Sequence, residues 1–156
     1  MAFKLNLGKA ERRVLPEGWY KARTDVVELR PQDERDDIVH LELLTEGNDN
    51  IGDDNPNDTR LYRDQSLGER SLWSVKDMAE AHFGKLEGDD EGDFEFDFGD
   101  MEDTQVWVYV SIDDEYDGTP RNRVDDWAHI ESELDEDGNP VREETSTRIL
   151  GEPVEA

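Results

Sequence analysis

Three stretches of this 156-residue chain interleave aromatic rings with cations: Tyr20, Lys21 and Arg23; Arg60, Tyr62 and Arg63; and Trp107, Tyr109, Tyr116, Arg121 and Arg123. A flat ring offers a face on which a nucleobase stacks, worth roughly 1–3 kcal/mol per base, and a neighbouring cation tracks the phosphate chain. Together they are the chemistry of a surface for single-stranded nucleic acid. Each ring also has a structural use, filling a core or packing under a helix, and for Trp19, Trp107 and Tyr109 the two uses weigh evenly. Trp73 and Trp127 read as structural. Arg121-Asn122-Arg123 follows a turn signal where a strand could be gripped. The competing reading is that these bases neutralise Asp113, Asp114, Asp125 and Asp126 across a ladder.

Other chemistries find little support. There is no Cys, which excludes a disulfide framework and a thiolate nucleophile or metal ligand. Three scattered His and no activated Ser form no nucleophile–base arrangement, so no catalytic residue is assigned and no enzyme is expected. Asp53, Asn55 and Asn57 have the alternate spacing of a calcium loop, but Asp58 stands where the loop needs Gly. Asp135, Asp137 and Asn139 fail similarly, with Pro140 following. No metal and no cofactor are expected.

The net charge of −26 opposes phosphate binding if spread evenly. It is not spread evenly. Residues 46–58, 86–103 and 131–156 together hold a net −22, leaving −4 on the rest. The bases are 12 Arg and 5 Lys, a bias that fits either a GC-rich genome or a high-salt cytoplasm.

The elements that must position these residues follow from periodicity. Residues 1–13 form a mildly basic arm carrying Lys4, Lys9, Arg12 and Arg13. A domain over 14–130 begins with a turn at Leu15-Pro16-Glu17-Gly18 and a strand over 19–29, with Tyr20, Ala22, Thr24 and Val26 on one face. A second strand over 37–45 alternates Val39, Leu41 and Leu43 against His40 and Glu42. Residues 46–58 are a long polar loop. A third strand over 59–64 sets Leu61 and Arg63 against Arg60 and Tyr62. Ser66-Leu67-Gly68-Glu69 matches a capping box, and the stripe Leu72, Val75, Met78, Ala79, His82 and Phe83 predicts a helix stopped by Gly84. Phe94, Phe96 and Phe98 read as an edge strand packing three aromatics, against a disordered loop or a docking motif as alternatives. Val106, Val108, Val110 and Ile112 mark the strongest strand, opposite Trp107, Tyr109 and Ser111. Asp117-Gly118-Thr119-Pro120 turns the chain into a return strand over 123–130. Residues 131–156 lack periodicity and are expected to form a flexible acidic C-terminal tail. The order strand, strand, strand, helix, strand, strand predicts a mainly β protein, a five-stranded OB-fold barrel with one helix between strands three and four.

The sequence also resembles a family of small phage-encoded proteins, long labelled only as a domain of unknown function, that are similar to OB-fold single-stranded-DNA-binding proteins. The likeness lies in Pro16-Glu17-Gly18-Trp19-Tyr20, in Ile38-Val39-His40-Leu41-Glu42-Leu43, and in the helix Ser71-Leu72-Trp73-Ser74-Val75-Lys76-Asp77-Met78. It continues in Val106 to Val110, Tyr116-Asp117-Gly118 and Arg121-Asn122-Arg123-Val124, so it runs in register over residues 14 to 128. The chain departs from the family in the length of 46–58, and in Met101-Glu102-Asp103-Thr104 where a Gly-Lys pair is common. What the resemblance implies is a viral protein that coats single-stranded DNA in replication or recombination, without catalysis.

An acidic tail on such a protein competes with DNA for the basic groove and recruits replication or recombination partners, or else is solubilising disorder. An alternative for the whole chain is an acidic DNA mimic or a recruitment module whose barrel does not bind DNA. No apolar run nears the roughly 20 residues that span a bilayer. The first residues lack the apolar stretch of a secretory signal. The expected location is the cytoplasm, that of the host if the gene is viral.

Overall fold

A computed structural model describes residues 1–5, 13–88, 92–113 and 118–141. Five antiparallel strands and one principal helix follow in the expected order: β1 (Gly18–Arg30), β2 (Ile38–Thr45), β3 (Arg60–Ser66), α1 (Leu72–Phe83), β4 (Gln105–Asp113) and β5 (Arg121–His129). The sheet order is β3-β2-β1-β4-β5. β1 is long because it serves two partners. Its first half, Gly18 to Arg23, pairs with β4, and Ala22 to Arg30 pairs with β2.

The expected barrel is not closed. β3 and β5 are the two ends of the sheet, and among the described residues no ladder joins them. They nevertheless lie side by side, and a side chain spans the seam: Arg63 Nη1 donates to the Val124 carbonyl at 3.2 Å. What stands is a mainly β protein with a five-stranded antiparallel sheet and one helix.

Alternation places the core. Val39, Leu41 and Leu43 of β2, Leu61 of β3 and Val106, Val108 and Val110 of β4 are buried on one face, with Met78 and Ala79 of α1 against them. Two bulges break the period of two. In β1 Thr24 pairs with Leu43 and Val26 with Glu42, so Asp25 is an extra residue. Val27, rather than the expected Val26, then packs on the core. In β5 Asp126 faces Tyr109 and Val124 faces Val110, so Asp125 is extra and Val124 and Trp127 both point inward. Ile112 lies past this core and is exposed.

α1 packs chiefly on β5, with further contacts to β4 and β3. Its expected capping box does not form. Gln65 and Ser66 are committed to the ladder with β2, opposite Val39 and Ile38. The Ser66 hydroxyl accepts from the Gly68 amide at 3.3 Å instead, a 3-10 turn covers Glu69–Ser71, and Ser71 caps without a side-chain bond. Gly68 lies against the carboxylate of the exposed Asp36. Gly84, at φ +83°, ends the helix with its N–H on the Glu80 carbonyl. Leu72 and Trp73 are exposed on the helix, contrary to the apolar stripe and the structural use expected of them. Ser74 and Ala81 are buried in addition to Val75, Met78, Ala79 and His82.

His82 ties the layers together. Its Nδ1–H donates to the Met78 carbonyl, and its Nε2 accepts from the Thr24 hydroxyl, both at 2.7 Å. Its ring lies 5.5 Å from that of Trp127.

The phenylalanine segment is not a strand. Phe98–Met101 is a 3-10 turn capped by Asp97, whose carboxylate accepts from the Gly99 amide. Phe96 stacks edge-on to Phe98 at 5.0 Å and meets Phe83 at 5.9 Å, so two of the three rings join the core while Phe94 stays at the surface. The start of the expected flexible tail is folded: Leu134 bridges Pro140, and the Asp135 carboxylate accepts from the amides of Asp137 and Asn139. Residues 142–156 lie outside the described residues.

The long loop 46–58 is also built. The Asn48 carboxamide accepts from the Lys21 amide at 2.8 Å and donates to the Lys21 carbonyl at 2.9 Å, in effect extending the sheet by one residue. Asn57 in turn holds the Asn48 main chain at both its amide and its carbonyl. The acids of this segment are therefore carried on fixed backbone.

Candidate nucleic-acid interface

The aromatic and cationic residues separate into three environments. Tyr20 faces inward, 5% exposed, and its hydroxyl donates to the Pro16 carbonyl at 2.6 Å. Burial pushes its phenol pKa up, and no ring face is offered to a ligand. Arg63 also points inward. Its Nη2 donates to Gln65 Oε1 at 3.0 Å, the Ser74 hydroxyl donates to the same oxygen at 2.9 Å, and burial lowers the guanidinium pKa. Both residues hold the fold. The expected stacking and phosphate roles require them to leave it.

The second group lies on the outer face of β1 and β4. Lys21 Nζ sits 5.3 Å from the centroid of the Trp107 ring, its ladder partner, and Trp107 is buried. Trp19 meets Tyr109, again its ladder partner, edge-on at 5.6 Å. Arg23 reaches three carboxylates, Asp103 at 3.1 Å, Glu46 at 3.5 Å and Asp25 at 4.0 Å. These cations are already matched locally by rings or acids.

The third group lines a cleft. A cleft of about 700 Å³ runs between β3 and the β4–β5 hairpin, over the open seam. Arg60 and Tyr62 line one wall, and Arg121, Asn122 and Arg123 the other, with Arg13 beside them. Tyr62 is 57% exposed, so a ring face is available there. Asp58, Asp64 and Asp113 line the same cleft beside the four arginines, and two of those arginines, like Arg23 of β1, are paired with acids. Arg60 is oriented by Asp25 at 3.0 Å and Glu42 at 3.1 Å, and Arg123 by Asp125 at 2.7 Å. Of the eleven residues expected at the site, the cleft gathers four. Tyr116 lies outside the described residues.

Beneath Tyr62, His40 bridges two acids. Its Nδ1 lies 2.6 Å from Asp64 and its Nε2 3.0 Å from Glu42. The hydrogen bond to Asp64, then that to Glu42 against the cost of burial, raises its pKa above the usual 6.5. When protonated, this ring balances part of the charge of the two acids it bridges. The motif around His40 was visible in sequence, but the meeting of Glu42 and Asp64 on one ring needs the β2–β3 register.

The cleft also holds Arg13 and Asn122, which were not among the expected site residues. The sequence signal for Arg13 was its place in the mildly basic arm, and for Asn122 the flanking arginines.

A second cleft, of about 580 Å³, lies at the other end of β1. Val27, Leu29, Phe96 and Phe98 line it beside Glu95 and Asp97. Its apolar floor and acidic rim suit neither phosphate nor base. Among the described residues no cluster of three or more His, Asp or Glu could hold a metal ion, and no helix is long and apolar enough to cross a membrane. No protein-family model matches the chain, and no curated protein matches it.

Proposed function

We propose that the protein binds single-stranded DNA in the cleft over the open seam of an OB-type sheet, without catalysis, in the replication or recombination of a viral genome. The observation that carries this reading is the gathering of four arginines and the exposed Tyr62 into one groove, on a chain of net charge −26. A groove lined by cations with a stacking ring is the general solution for single strands. The strand order, the helix between the third and fourth strands and the phage-family resemblance support the same reading. Phosphate contacts of this kind make binding salt-dependent.

Fluorescence anisotropy with labelled single- and double-stranded oligonucleotides at two salt concentrations tests it. Single-strand binding that weakens with salt is expected from the full chain and from one ending at Ile130. If neither chain binds, the reading is wrong.

A recruitment module is the second reading, favoured by the apolar, acid-rimmed cleft of Val27, Leu29, Phe96 and Phe98. That cleft fits an apolar peptide carrying cations, and the two readings are compatible if the clefts act separately.

A further inference from the structure

The proposed DNA cleft has two walls from the sheet and one from outside it. Arg13 precedes β1 in the chain, yet it lines the cleft with Arg60 and Arg121. Its position is set two residues later. Leu15 is 2% exposed, its side chain in the core. Its main chain is gripped by one carboxamide on β5: the Leu15 amide donates to Asn122 Oδ1 at 2.7 Å, and Asn122 Nδ2 donates to the Leu15 carbonyl at 2.8 Å. The same Nδ2 lies 3.4 Å from the Ser111 carbonyl of β4. Two residues further, the Glu17 carboxylate accepts from the Ile112 amide at 3.2 Å. The segment entering β1 is thus stitched to the β4–β5 hairpin at two points, and among the described residues no strand ladder holds it there.

A carboxamide that satisfies both polar groups of one residue mimics a ladder partner. This one lies between Arg121 and Arg123 in the sequence, so the residue that fixes the arm also lies between two cations of the groove wall. From these contacts, and resting on the single-strand reading above, we infer that Asn122 is a positioning residue of the site and Arg13 a phosphate-contacting one. Asn122 holds the chain so that the Arg13 guanidinium closes the groove on the side the open seam leaves uncovered. A bound strand then meets Arg60 and Tyr62 on one wall, Arg121 and Arg123 on the other, and Arg13 from the arm.

The test uses the full chain and a fluorescent oligothymidylate, titrated over a series of salt concentrations. Arg13→Ala is expected to weaken binding roughly 3- to 10-fold at low salt and to reduce the slope of log affinity against log salt by about 0.7, one phosphate contact on a single strand. Arg13→Lys should restore the slope. Asn122→Ala should show the same loss of slope, and the double variant no more than either alone, because both remove one contact. A purely structural Asn122 would lower the melting temperature and leave the slope unchanged. The inference is overturned if Arg13→Ala binds with the slope of the unmodified chain, or if the two losses add. Should Asn122→Ala not fold, Arg13→Ala and Arg13→Lys decide. Failure of the unmodified chain to bind would instead overturn the single-strand reading itself, and this inference with it.

Discussion

The guanidinium of Arg63 on β3 reaches across the open edge of the sheet to the main-chain carbonyl of Val124 on β5, at 3.2 Å. No ladder bonds join these two strands among the described residues, so this charged side chain stands where strand pairing would close a barrel. It also binds Gln65, and through Gln65 the Ser74 hydroxyl of α1, linking sheet edge, facing edge and helix.

Arg63→Ala should therefore act on stability first. Losing hydrogen bonds from a charged donor and exposing Gln65 to a cavity is expected to cost about 2–3 kcal/mol. Urea unfolding measures it. A variant as stable as the parent but deficient in DNA binding would show that Arg63 belongs to the ligand and not to the seam.

Two tyrosines of similar sequence context should respond in opposite ways. Tyr62→Ala removes an exposed ring and should weaken single-strand binding by roughly 1–3 kcal/mol with little change in melting temperature. Tyr20→Phe deletes the buried hydrogen bond to Pro16 and should lower stability by about 1 kcal/mol while leaving affinity unchanged. Parallel melts and anisotropy titrations separate them.

Acid should expose the cost of keeping His82 neutral. Burial lowers its pKa from 6.5 to about 4, while Thr24 and Met78 occupy both ring nitrogens. Between these values the unfolded chain takes up a proton that the folded one refuses. Stability is full above about pH 6.5 and declines as pH falls toward 4, by about 3 kcal/mol in total from this group. His82→Gln should flatten that part of the profile in urea melts from pH 4.5 to 7.5. An unchanged slope would place the acid sensitivity among the carboxylates instead.

His40 should show the opposite sign. Its pKa in the folded state lies above 6.5 because Asp64 and Glu42 accept from the ring. Its stabilising contribution is complete below the unfolded value of about 6.5 and is lost as pH rises through the folded value. Nuclear magnetic resonance titration of the ring protons gives the direction: a midpoint above 6.5 agrees, and one below it does not.

Asn48 carries the loop 46–58 on the sheet, since its carboxamide meets both polar groups of Lys21. Asn48→Ala should destabilise the protein by about 1–3 kcal/mol, the cost of leaving such groups unpaired. Faster amide exchange at Lys21 and Glu46 would accompany it.

Much of the architecture was legible in the chain itself. The period of two in Val39, Leu41 and Leu43 and in Val106, Val108 and Val110 is a local geometric fact, and so is the burial of Val75, Met78, Ala79 and His82 on one side of a helix. Turn residues marked where each element ends, so element order and the single helix between the third and fourth strands followed. The concentration of acid in 46–58 and 86–103 was equally a matter of sequence.

Tertiary structure decided what depends on partners far away in the chain. The bulges at Asp25 and Asp125 exist only relative to β2 and β4, and they choose Val27 over Val26 and turn Trp127 inward. Ser66 became a ladder residue and not a helix cap because Ile38 stood opposite it. Tyr20 and Tyr62 both alternate within strands, yet one strand face meets the core and the other a cleft. Arg60 reaches Asp25 across 35 positions of sequence, and Leu15 meets Asn122 across 107. Side-chain period is written in adjacent residues, whereas register, the open seam and the pairing of charges are set when distant strands come together. The acidic chain therefore announced its strands, but only the fold shows which of its arginines share a groove.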